Sequence, residues 1–433
     1  MSAYDLTALR QMSPYINAHR GRTVVLAFSG QALLEKQFSS LIHDIALLNS
    51  LGVRLVLVFG VRPQVEARLK SLGIESHVQQ GIRITDDQTL PLLKEVCGAV
   101  RVEIEALLSM GLPNTPMAGA CLQVLSGNFV TAKPWGIHDG TDFCHTGVVR
   151  RINAAAMDNL LAANNLLLLS PLGYSATGEV FNLHAEEVAT ETAIALQADK
   201  LIFLTEQAGM LDQAGNLLEQ LSPQQALALS EQLSDSSMAL HLKSAARASL
   251  QGVARVHLVG RRDGALLQEL YSRDGSGTLI TAEIYEGVRS ATIEDVGGIL
   301  ELIQPMEERG VLVRRSREQL ELEVERFTVL ERDGMVIGCA ALYSQRDGAW
   351  AELACVVVHE AYRRRGKAEL LLQRVEKKAQ EQGCTRLFVL TTQTAHWFVE
   401  RGFVAGDLSQ LPAERQALYN YQRNSKIFVK TLT

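Results

Sequence analysis

The chain has 433 residues, too many for one ordinary hydrophobic core, so two or three domains are expected. Its hydrophobic share of 47% and charged share of 21% are typical of a soluble globular protein. The formal net charge of −6 argues against general binding to nucleic acid or anionic membranes, while leaving room for a local basic pocket.

The N-terminal segment, residues 1–21, is polar and amphipathic and does not resemble a signal peptide. No apolar run approaches the length that spans a membrane. The six cysteines form no C-x-x-C pair and no metal-ligand spacing, and several lie in apolar runs. They therefore predict small buried thiols, not disulfides or zinc ligands. We expect a cytoplasmic protein without a metal.

From residue 23 to about residue 281, short apolar runs alternate with helical patterns. The runs are nearly continuous in apolar residues, and they lie at residues 24–28, 53–59, 166–170, 200–205 and 255–259. Such runs are typical of parallel strands buried on both faces. The alternation predicts an α/β fold, an open sheet covered by helices on both faces.

The pattern breaks near residues 282–289, and a different one follows. It contains a strand at residues 287–291, a Thr292-x-x-Asp295 helix-entry signal, a hairpin with an Asp333-Gly334 turn, and strands around residues 350–358, 387–391 and 426–430. These signals predict a second, mixed α/β domain. We place the first domain at residues 1–282, a short linker at 283–290 and the second domain at 291–433.

The most informative stretch lies between residues 351 and 372. A β-branched strand pattern ends at His359, and a basic turn leads into an amphipathic helix pattern. This order brings free backbone N–H groups and a helix dipole toward an anion. Gly366 and Ala368 keep large side chains away, so a diphosphate can approach the backbone. The alternative is an exposed basic helix start.

The R-x-x-G-x-A spacing of Arg363, Gly366 and Ala368 resembles the pyrophosphate loop of the GNAT family of acetyl-CoA-dependent N-acetyltransferases. The resemblance implies acetyl-CoA as the co-substrate and a GNAT fold for the second domain. It also implies that the strand before the loop opens, so that its backbone binds pantetheine and the thioester oxygen. The implied cofactor-binding residues are Cys355, Val356, Val357, Arg363, Arg364, Arg365, Gly366, Lys367 and Ala368.

Glu352 is the candidate catalytic base. An α-amine arrives mostly as ammonium and must lose a proton before it attacks a thioester. A partly desolvated carboxylate three residues before Cys355 could accept that proton directly or through one water; the alternative is a strand-edge glutamate facing solvent. The GNAT resemblance favours the base. Thr391 is the candidate donor of a hydrogen bond to the leaving thiolate.

Residues 24–35, 48–69, 181–212 and 254–280 resemble the amino-acid kinase family, N-acetylglutamate kinase in particular. Such kinases have a lysine and two glycines after the first strand, where this chain has AFSG at 27–30. Their glycine run after the second strand is FGVR at 59–62 here. Phosphoryl transfer depends on charge stabilisation and positioning, so we predict a catalytically silent kinase relative. Lys243 remains either a second kinase lysine or a solvated helix residue.

Arginine-sensitive members of the kinase family bind arginine beside the last strand and an N-terminal helix. The matching residues here are Tyr15, His257, Glu269 and Gly275. A carboxylate such as Glu269 is able to bind a guanidinium through two hydrogen bonds. The alternative is a surface glutamate, a strand histidine and an ordinary turn. The resemblance implies that the first domain senses arginine.

Residues 308–321, 352–359, 387–403 and 418–428 resemble the bacterial N-acetylglutamate synthase family. This resemblance implies direct transfer of the acetyl group from acetyl-CoA to L-glutamate, the first step of arginine biosynthesis, with feedback inhibition by L-arginine. It also implies a homo-oligomer, with a hexamer suspected.

Glutamate carries two carboxylates, so its pocket requires fixed cations. The implied substrate-binding residues are Arg315 and Arg423, one for each carboxylate, together with Leu312 and Cys355. Arg314, Arg317 and Lys426 are nearby competitors. Three alternatives stay open: a bifunctional synthase and kinase, an acetyltransferase for another amino acid, and a non-catalytic arginine-binding regulator.

Overall fold

The structure is a computed structural model that describes residues 3–79, 81–233, 236–282, 286–345, 349–363, 366–417, 419–420 and 425–432. The chain divides into two compact units, Met1–Glu283 and Ile284–Thr433.

The helices of the first unit are α1 (Ala3–His19), α2 (Phe38–Ser50), α3 (Arg62–Ser71), α4 (Thr89–Leu108), α5 (Ala154–Ala162), α6 (Ala185–Ala195), α7 (Pro223–Gln232), α8 (Ser236–Leu250) and α9 (Ala265–Tyr271). Its strands are β1 (Thr23–Phe28), β2 (Arg54–Phe59), β3 (Val78–Gln79), β4 (Ile82–Arg83), β5 (Val124–Leu125), β6 (Val130–Pro134), β7 (Ile137–His138), β8 (Thr141–Asp142), β9 (Gly147–Ile152), β10 (Leu166–Leu169), β11 (Leu172–Tyr174), β12 (Val180–Asn182), β13 (Lys200–Thr205), β14 (Gln220–Leu221), β15 (Arg255–Gly260) and β16 (Thr278–Ile280).

The main sheet of the first unit has the strand order β14-β16-β15-β13-β1-β2-β10-β5. Its neighbouring strands are parallel, apart from the antiparallel pair β15 and β16. Alternate residues of β1 belong to two different hydrophobic clusters, because side chains alternate between the two faces of a sheet. One cluster includes residues of α2, α3, α4 and α9, and the other includes residues of α5 to α8. The predicted open sheet with helices on both faces is confirmed.

The second unit contains the strands β17 (Glu286–Ser290), β18 (Phe327–Arg332), β19 (Met335–Ser344), β20 (Trp350–Val358), β21 (Arg386–Thr391), β22 (Val404–Gly406) and β23 (Lys426–Thr431). Its helices are α10 (Val296–Glu308), α11 (Arg317–Glu323), α12 (Lys367–Glu381), α13 (Ala395–Val399) and α14 (Ala413–Ala417).

These strands form one sheet in the order β17-β18-β19-β20-β21-β23-β22, antiparallel except between β20 and β21. Helix α12 packs on one face through a cluster that includes Leu371 and Val375. Helices α10 and α11 pack on the other face through a cluster that includes Ile299 and Leu320. The predicted mixed α/β architecture is confirmed.

Strand β17 lies within residues 283–290, the segment predicted as a linker. It pairs with β18 from Glu286 opposite Arg332 to Ser290 opposite Thr328. The described part of that segment therefore belongs to the second sheet. Its sequence, EGVRS, forms an edge strand in which no residue is fully buried, and it begins and ends one residue before the strand predicted at residues 287–291.

Among the described residues, no helix combines the length and the apolar character required to cross a bilayer. The same residues contain no group of three or more His, Cys, Asp or Glu side chains that could hold a metal ion. The thiols of Cys97, Cys339, Cys355 and Cys384 are buried, as predicted, whereas Cys121 and Cys144 are exposed.

Candidate active site

Strand β20 parts from β21 where the predicted site residues lie. The parallel pairing of the two strands runs from Trp350 opposite Arg386 to Leu353 opposite Val389. Beyond this point β20 stays paired with β19 as far as Val358, and β21 stays paired with β23 as far as Thr391. Backbone groups of residues 354–358 that face β21 therefore lie at an opening in the sheet. The strand opening implied by the GNAT resemblance is present.

A β-bulge at Cys355 accompanies this opening. Cys355 has a φ of 56°, uncommon for a residue other than glycine, and the register with β19 shifts between Cys339 and Ala341. One extra residue reverses the alternation of side chains. Leu353 consequently packs in the cluster of α12, whereas Cys355 and Val357 pack in the cluster of α10. Val356 is partly buried against the α12 cluster.

The basic turn follows β20, as predicted. A short 3-10 helix, Glu360–Tyr362, leads to the turn, and Gly366 caps α12 with a left-handed φ of 71°. Arg363 Nε donates to the carbonyl of Val358 at 3.1 Å, which ties the turn to the strand. Arg364 and Arg365 lie outside the described residues.

Lys367 and Ala368 begin α12 directly after this cap. The first N–H groups of a helix have no intrahelical partner, and the helix dipole places partial positive charge there. This arrangement has the geometry of an anion site that could accept a diphosphate.

Glu352 lies on β20 opposite Tyr343 of β19 and Phe388 of β21, just before the opening. Its side chain is 13% exposed and forms a two-point ion pair with Arg415 of α14. Arg415 Nε donates to Oε2 at 2.7 Å, and Nη2 donates to Oε1 at 3.0 Å. A forked guanidinium holds a carboxylate in one orientation. Arg415 is absent from the predicted set because it lies 63 residues from Glu352 and follows no local motif.

Thr391 ends β21 on the other side of the opening and is buried. Its Oγ1 accepts from the backbone N–H groups of Thr394 at 3.1 Å and Gln393 at 3.4 Å. It also shares a hydrogen bond of 3.0 Å with the Thr394 hydroxyl. Two backbone donors occupy the acceptor sites of the oxygen, so its own proton is available to Thr394 or to a ligand.

Arg315 differs from the other cations of its segment. It is partly buried, and its Nη1 donates to the carbonyl of Val313 at 3.1 Å. Burial alone would lower the pKa of Arg315, but the neighbouring Cys355 and Tyr343 groups outweigh this effect and raise it. Arg317 is exposed and paired with Glu321 at 2.8 Å.

The remaining substrate-pocket predictions have different outcomes. Arg314 and Lys426 are exposed. Leu312 is partly buried against the α10 cluster, and its N–H donates to the Met306 carbonyl at 3.2 Å. Arg423 lies outside the described residues.

In the first unit, the loops that correspond to kinase phosphate loops pack against each other. The Gly60 N–H donates to the Phe28 carbonyl at 2.8 Å, and Gln64 Nε2 donates to the Gly30 carbonyl at 2.7 Å. A Cβ on Gly30 would lie 2.2 Å from Gln64 Oε1 and 2.9 Å from the Gly60 carbonyl. The space beside Gly30 is thus filled by protein.

The buried arginine near these loops, Arg261, is paired. Arg261 is 9% exposed; its Nη2 lies 2.8 Å from Glu35 Oε1, and its Nη1 donates to Ser29 Oγ at 3.3 Å. Lys243 is exposed on α8. Together with the filled loops, this pairing supports the prediction of a silent kinase relative.

The residues predicted to sense arginine meet around α9. His257 Nδ1 of β15 lies 2.6 Å from Glu269 Oε1, and Glu269 Oε2 accepts from the Gly277 N–H at 2.8 Å. Burial would raise the pKa of Glu269, but the hydrogen bonds from His257 and the turn lower it to about 2. Gly275 has a φ of 64°, and a Cβ there would lie 2.7 Å from Glu269 Oε2.

The N-terminal helix lies against the same element. His19 of α1 stacks edge-on against Tyr271 of α9, with ring centroids 5.5 Å apart, and Tyr15 packs against the cluster that contains Leu270. His257 Nε2 is buried and has no hydrogen-bond partner among the described residues. The structure therefore places a buried ring nitrogen without a described partner close to the turn that is hydrogen-bonded to Glu269.

Two families match the chain in succession. Residues 22–260 match the amino acid kinase family, and residues 297–403 match the acetyltransferase (GNAT) family. The chain is 50% identical over 432 residues to an amino-acid acetyltransferase of Aeromonas salmonicida, covering 98% of each chain. It is 52% identical over 425 residues to an amino-acid acetyltransferase of Pseudomonas fluorescens, again covering 98% of each.

Solved structures give the same result. A crystal structure of N-acetylglutamate synthase from Neisseria gonorrhoeae complexed with coenzyme A and L-arginine is 37% identical, with a TM-score of 0.89 over 99% of both chains. A second structure of that synthase, complexed with coenzyme A and N-acetyl-glutamate, is 38% identical, with a TM-score of 0.63 over 99% of both chains. The predicted family, fold and enzyme class are confirmed: the chain belongs to the amino-acid acetyltransferase family, as an acyltransferase with an amino-acid kinase-like unit and a GNAT unit.

Proposed function

We propose that this protein transfers the acetyl group of acetyl-CoA to L-glutamate, giving N-acetyl-L-glutamate and CoA as the first step of arginine biosynthesis. The observation that carries this proposal is the opening between β20 and β21, which has a half-buried carboxylate, Glu352, at its edge and an anion-binding helix start beyond it. The Neisseria synthase, crystallised with coenzyme A and N-acetyl-glutamate, supports the choice of substrates.

The residues after β20 fit coenzyme A. Its diphosphate would be held by the backbone N–H groups that begin α12, which the left-handed Gly366 leaves uncovered. The backbone of residues 354–358 would hold the pantetheine arm and polarise the thioester carbonyl, because that side of β20 has lost its pairing with β21.

Glu352 is the proposed base. Both carboxylate oxygens accept from Arg415, but each keeps a further lone pair, so the carboxylate can still accept a proton from the ammonium group. The free amine then attacks the thioester carbonyl, the C–N bond forms, and the C–S bond breaks. As the C–S bond breaks, the nitrogen gives up its remaining excess proton to the departing thiolate, which also accepts a hydrogen bond from the Thr391 hydroxyl. No acetylated enzyme is formed.

The two carboxylates of glutamate are assigned to Arg315 and Arg423. Arg315 is the better supported of the two, because it is partly buried next to Cys355 at the bulge. Its neighbours Arg314 and Arg317 face solvent. The Leu312 and Cys355 backbones complete the proposed pocket.

We also propose that L-arginine binds to the first unit and inhibits the acetyltransferase. The Neisseria synthase is also known in complex with L-arginine. In this chain Glu269 is 5% exposed and already hydrogen-bonded to His257 and to the following turn. It would therefore shape the site by fixing these groups, and His257, the Gly275 turn and Tyr15 are the residues proposed to contact the effector.

Replacement of Glu352 tests the base. The Glu352→Gln variant is expected to lower kcat about 100-fold or more, since a positioned base contributes on that order. Thiol release at saturating acetyl-CoA and glutamate measures this. Glu331→Gln is the matched control, because Glu331 is also a strand glutamate paired with an arginine, Arg289. Equal kcat values for Glu352→Gln and the wild type would remove Glu352 from this role.

Replacement of Arg315 tests the substrate pocket. Arg315→Ala is expected to raise the KM for glutamate about 10- to 100-fold, because one substrate carboxylate loses its partner. The KM for acetyl-CoA should change little. Arg317→Ala, an exposed arginine two residues away, is the control and should leave both constants unchanged. A glutamate KM unaltered by Arg315→Ala would place the pocket elsewhere.

The effector site is tested through Tyr15. Tyr15→Ala is expected to raise the arginine concentration for half-inhibition about tenfold, as the loss of one well-packed aromatic contact is worth about 1.4 kcal/mol. Tyr174→Ala, which removes an exposed tyrosine of the same unit, should leave it unchanged. Identical inhibition curves for the two variants would exclude the assigned site.

The kinase-like unit is expected to be inactive. With N-acetylglutamate and ATP, the protein should release no ADP above background, because the loops beside Gly30 are filled and Arg261 is already neutralised. A competent N-acetylglutamate kinase serves as the positive control. ATP-dependent turnover would instead favour a bifunctional synthase and kinase.

A further inference from the structure

A buried group of charges beside the basic turn joins Lys367, one of the predicted cofactor-binding residues, to two residues outside the predicted site, Glu286 and Arg332. Glu286 of β17 is the direct cross-strand partner of Arg332 of β18. Arg332 Nη1 lies 3.0 Å from Glu286 Oε2, and the arginine side chain is only 3% exposed. The other carboxylate oxygen, Glu286 Oε1, is paired with the ammonium group of Lys367.

This group is attached to both ends of the turn. Lys367 is the first residue of α12, directly after the Gly366 cap. Tyr362 immediately precedes the turn and is 1% exposed, and the Arg332 guanidinium lies over its ring at 5.7 Å from the centroid. The Glu286–Arg332 pair therefore contacts the last residue before the turn and the first residue after it.

The role of the Lys367 side chain follows from its burial. Lys367 and Glu286 are each 15% exposed, so the ammonium group is held inside the unit by a carboxylate. A buried charge is stable only when it is paired. Without Glu286, Lys367 and Arg332 would remain as two neighbouring cations, and the lysine would have to leave its position at the start of α12. The Lys367 ammonium group thus binds Glu286 and orients the helix start. A diphosphate would then be bound by the backbone N–H groups and not by this side chain.

A second lysine–glutamate pair on the same helix provides a comparison. Glu376, later in α12, is paired with Lys430 of β23 at 2.6 Å, with side-chain exposures of 20% and 24%. The chemistry and burial resemble those of the Glu286–Lys367 pair. Glu376 lies two and a half turns further along the helix from the turn, so it stabilises the unit without touching the helix start.

We propose that Glu286 is a positioning residue for diphosphate binding. Acting through Lys367 and, by way of Arg332, through Tyr362, it fixes the start of α12 relative to Tyr362, so that the N–H groups of the first turn of α12 converge on the diphosphate. This inference rests on the proposed use of acetyl-CoA. Glu286 is expected to affect the binding of the acyl donor, acetyl-CoA, and not the binding of the acceptor, glutamate.

The test uses the full chain and steady-state kinetics. Glu286→Gln is expected to raise the KM for acetyl-CoA about tenfold, because small displacements of binding groups have effects of this order or larger. The KM for glutamate and kcat should stay within about twofold of the wild type, because the groups that Glu286 positions are proposed to bind the diphosphate alone. The rate with acetyl-pantetheine, which lacks the diphosphate, should not fall. Glu376→Gln should match the wild type with both acyl donors.

A double-mutant cycle with Lys367→Met shows whether Glu286 acts through Lys367. Lys367→Met alone leaves the Glu286–Arg332 pair intact and is expected to raise the KM for acetyl-CoA in the same selective way. In that background, Glu286→Gln should add less than it does alone, since coupled residues are not additive. If Glu286→Gln fails to fold, the selectivity of Lys367→Met tests the proposal by itself.

Several outcomes overturn the inference. One is an acetyl-CoA KM unchanged by Glu286→Gln or by Lys367→Met; another is equal effects on the acetyl-CoA and glutamate constants. A lower KM for acetyl-CoA would mean that Glu286 competes with the diphosphate for Lys367. Failure of the proposed function is distinguishable, because the wild type itself would then release no thiol from acetyl-CoA with glutamate.

Discussion

The loss of pairing between β20 and β21 after Leu353 is the constraint on which the second unit depends. A sheet normally satisfies its backbone groups through neighbouring strands, and unpaired groups are costly unless water or a ligand binds them. The bulge at Cys355 accompanies this opening and reverses which face each following side chain occupies. Glu352 precedes the opening and the α12 helix start follows it, so this part of the sheet brings together the three features on which the proposed function rests.

Paired charges shape the surroundings of that opening. Arg415 fixes the orientation of Glu352, and Glu286 binds the ammonium group of Lys367. Ion pairs of this kind contribute little when exposed, but partly buried pairs restrict the geometry of the groups that carry them. The first unit shows a related pattern, in which Arg261 is neutralised by Glu35 beside the filled Gly30 loop. Both features support the prediction that this kinase-like unit is catalytically silent.

Local patterns in the sequence predicted much of this arrangement. The continuous apolar runs of β1 and β13 reflect burial on both faces, and the strand, basic turn and helix from residue 351 to residue 382 reflect short-range geometry. A strand was predicted at residues 287–291, but most of it was also placed in the linker, because its pairing with β18 depends on residues 38 to 46 positions away. Arg415 and Glu286 were missed for the same reason, since their partners lie 63 and 81 residues distant. The bulge at Cys355 has no signature within a run of β-branched residues.

A crystal structure with bound coenzyme A tests the central claim most directly. The account predicts that the diphosphate accepts hydrogen bonds from the backbone N–H groups of Lys367 and Ala368, with the pantetheine arm along residues 354–358 of β20. The Lys367 ammonium should remain on Glu286. A diphosphate bound away from the start of α12, or a β20 that closes against β21 in the complex, would contradict the account.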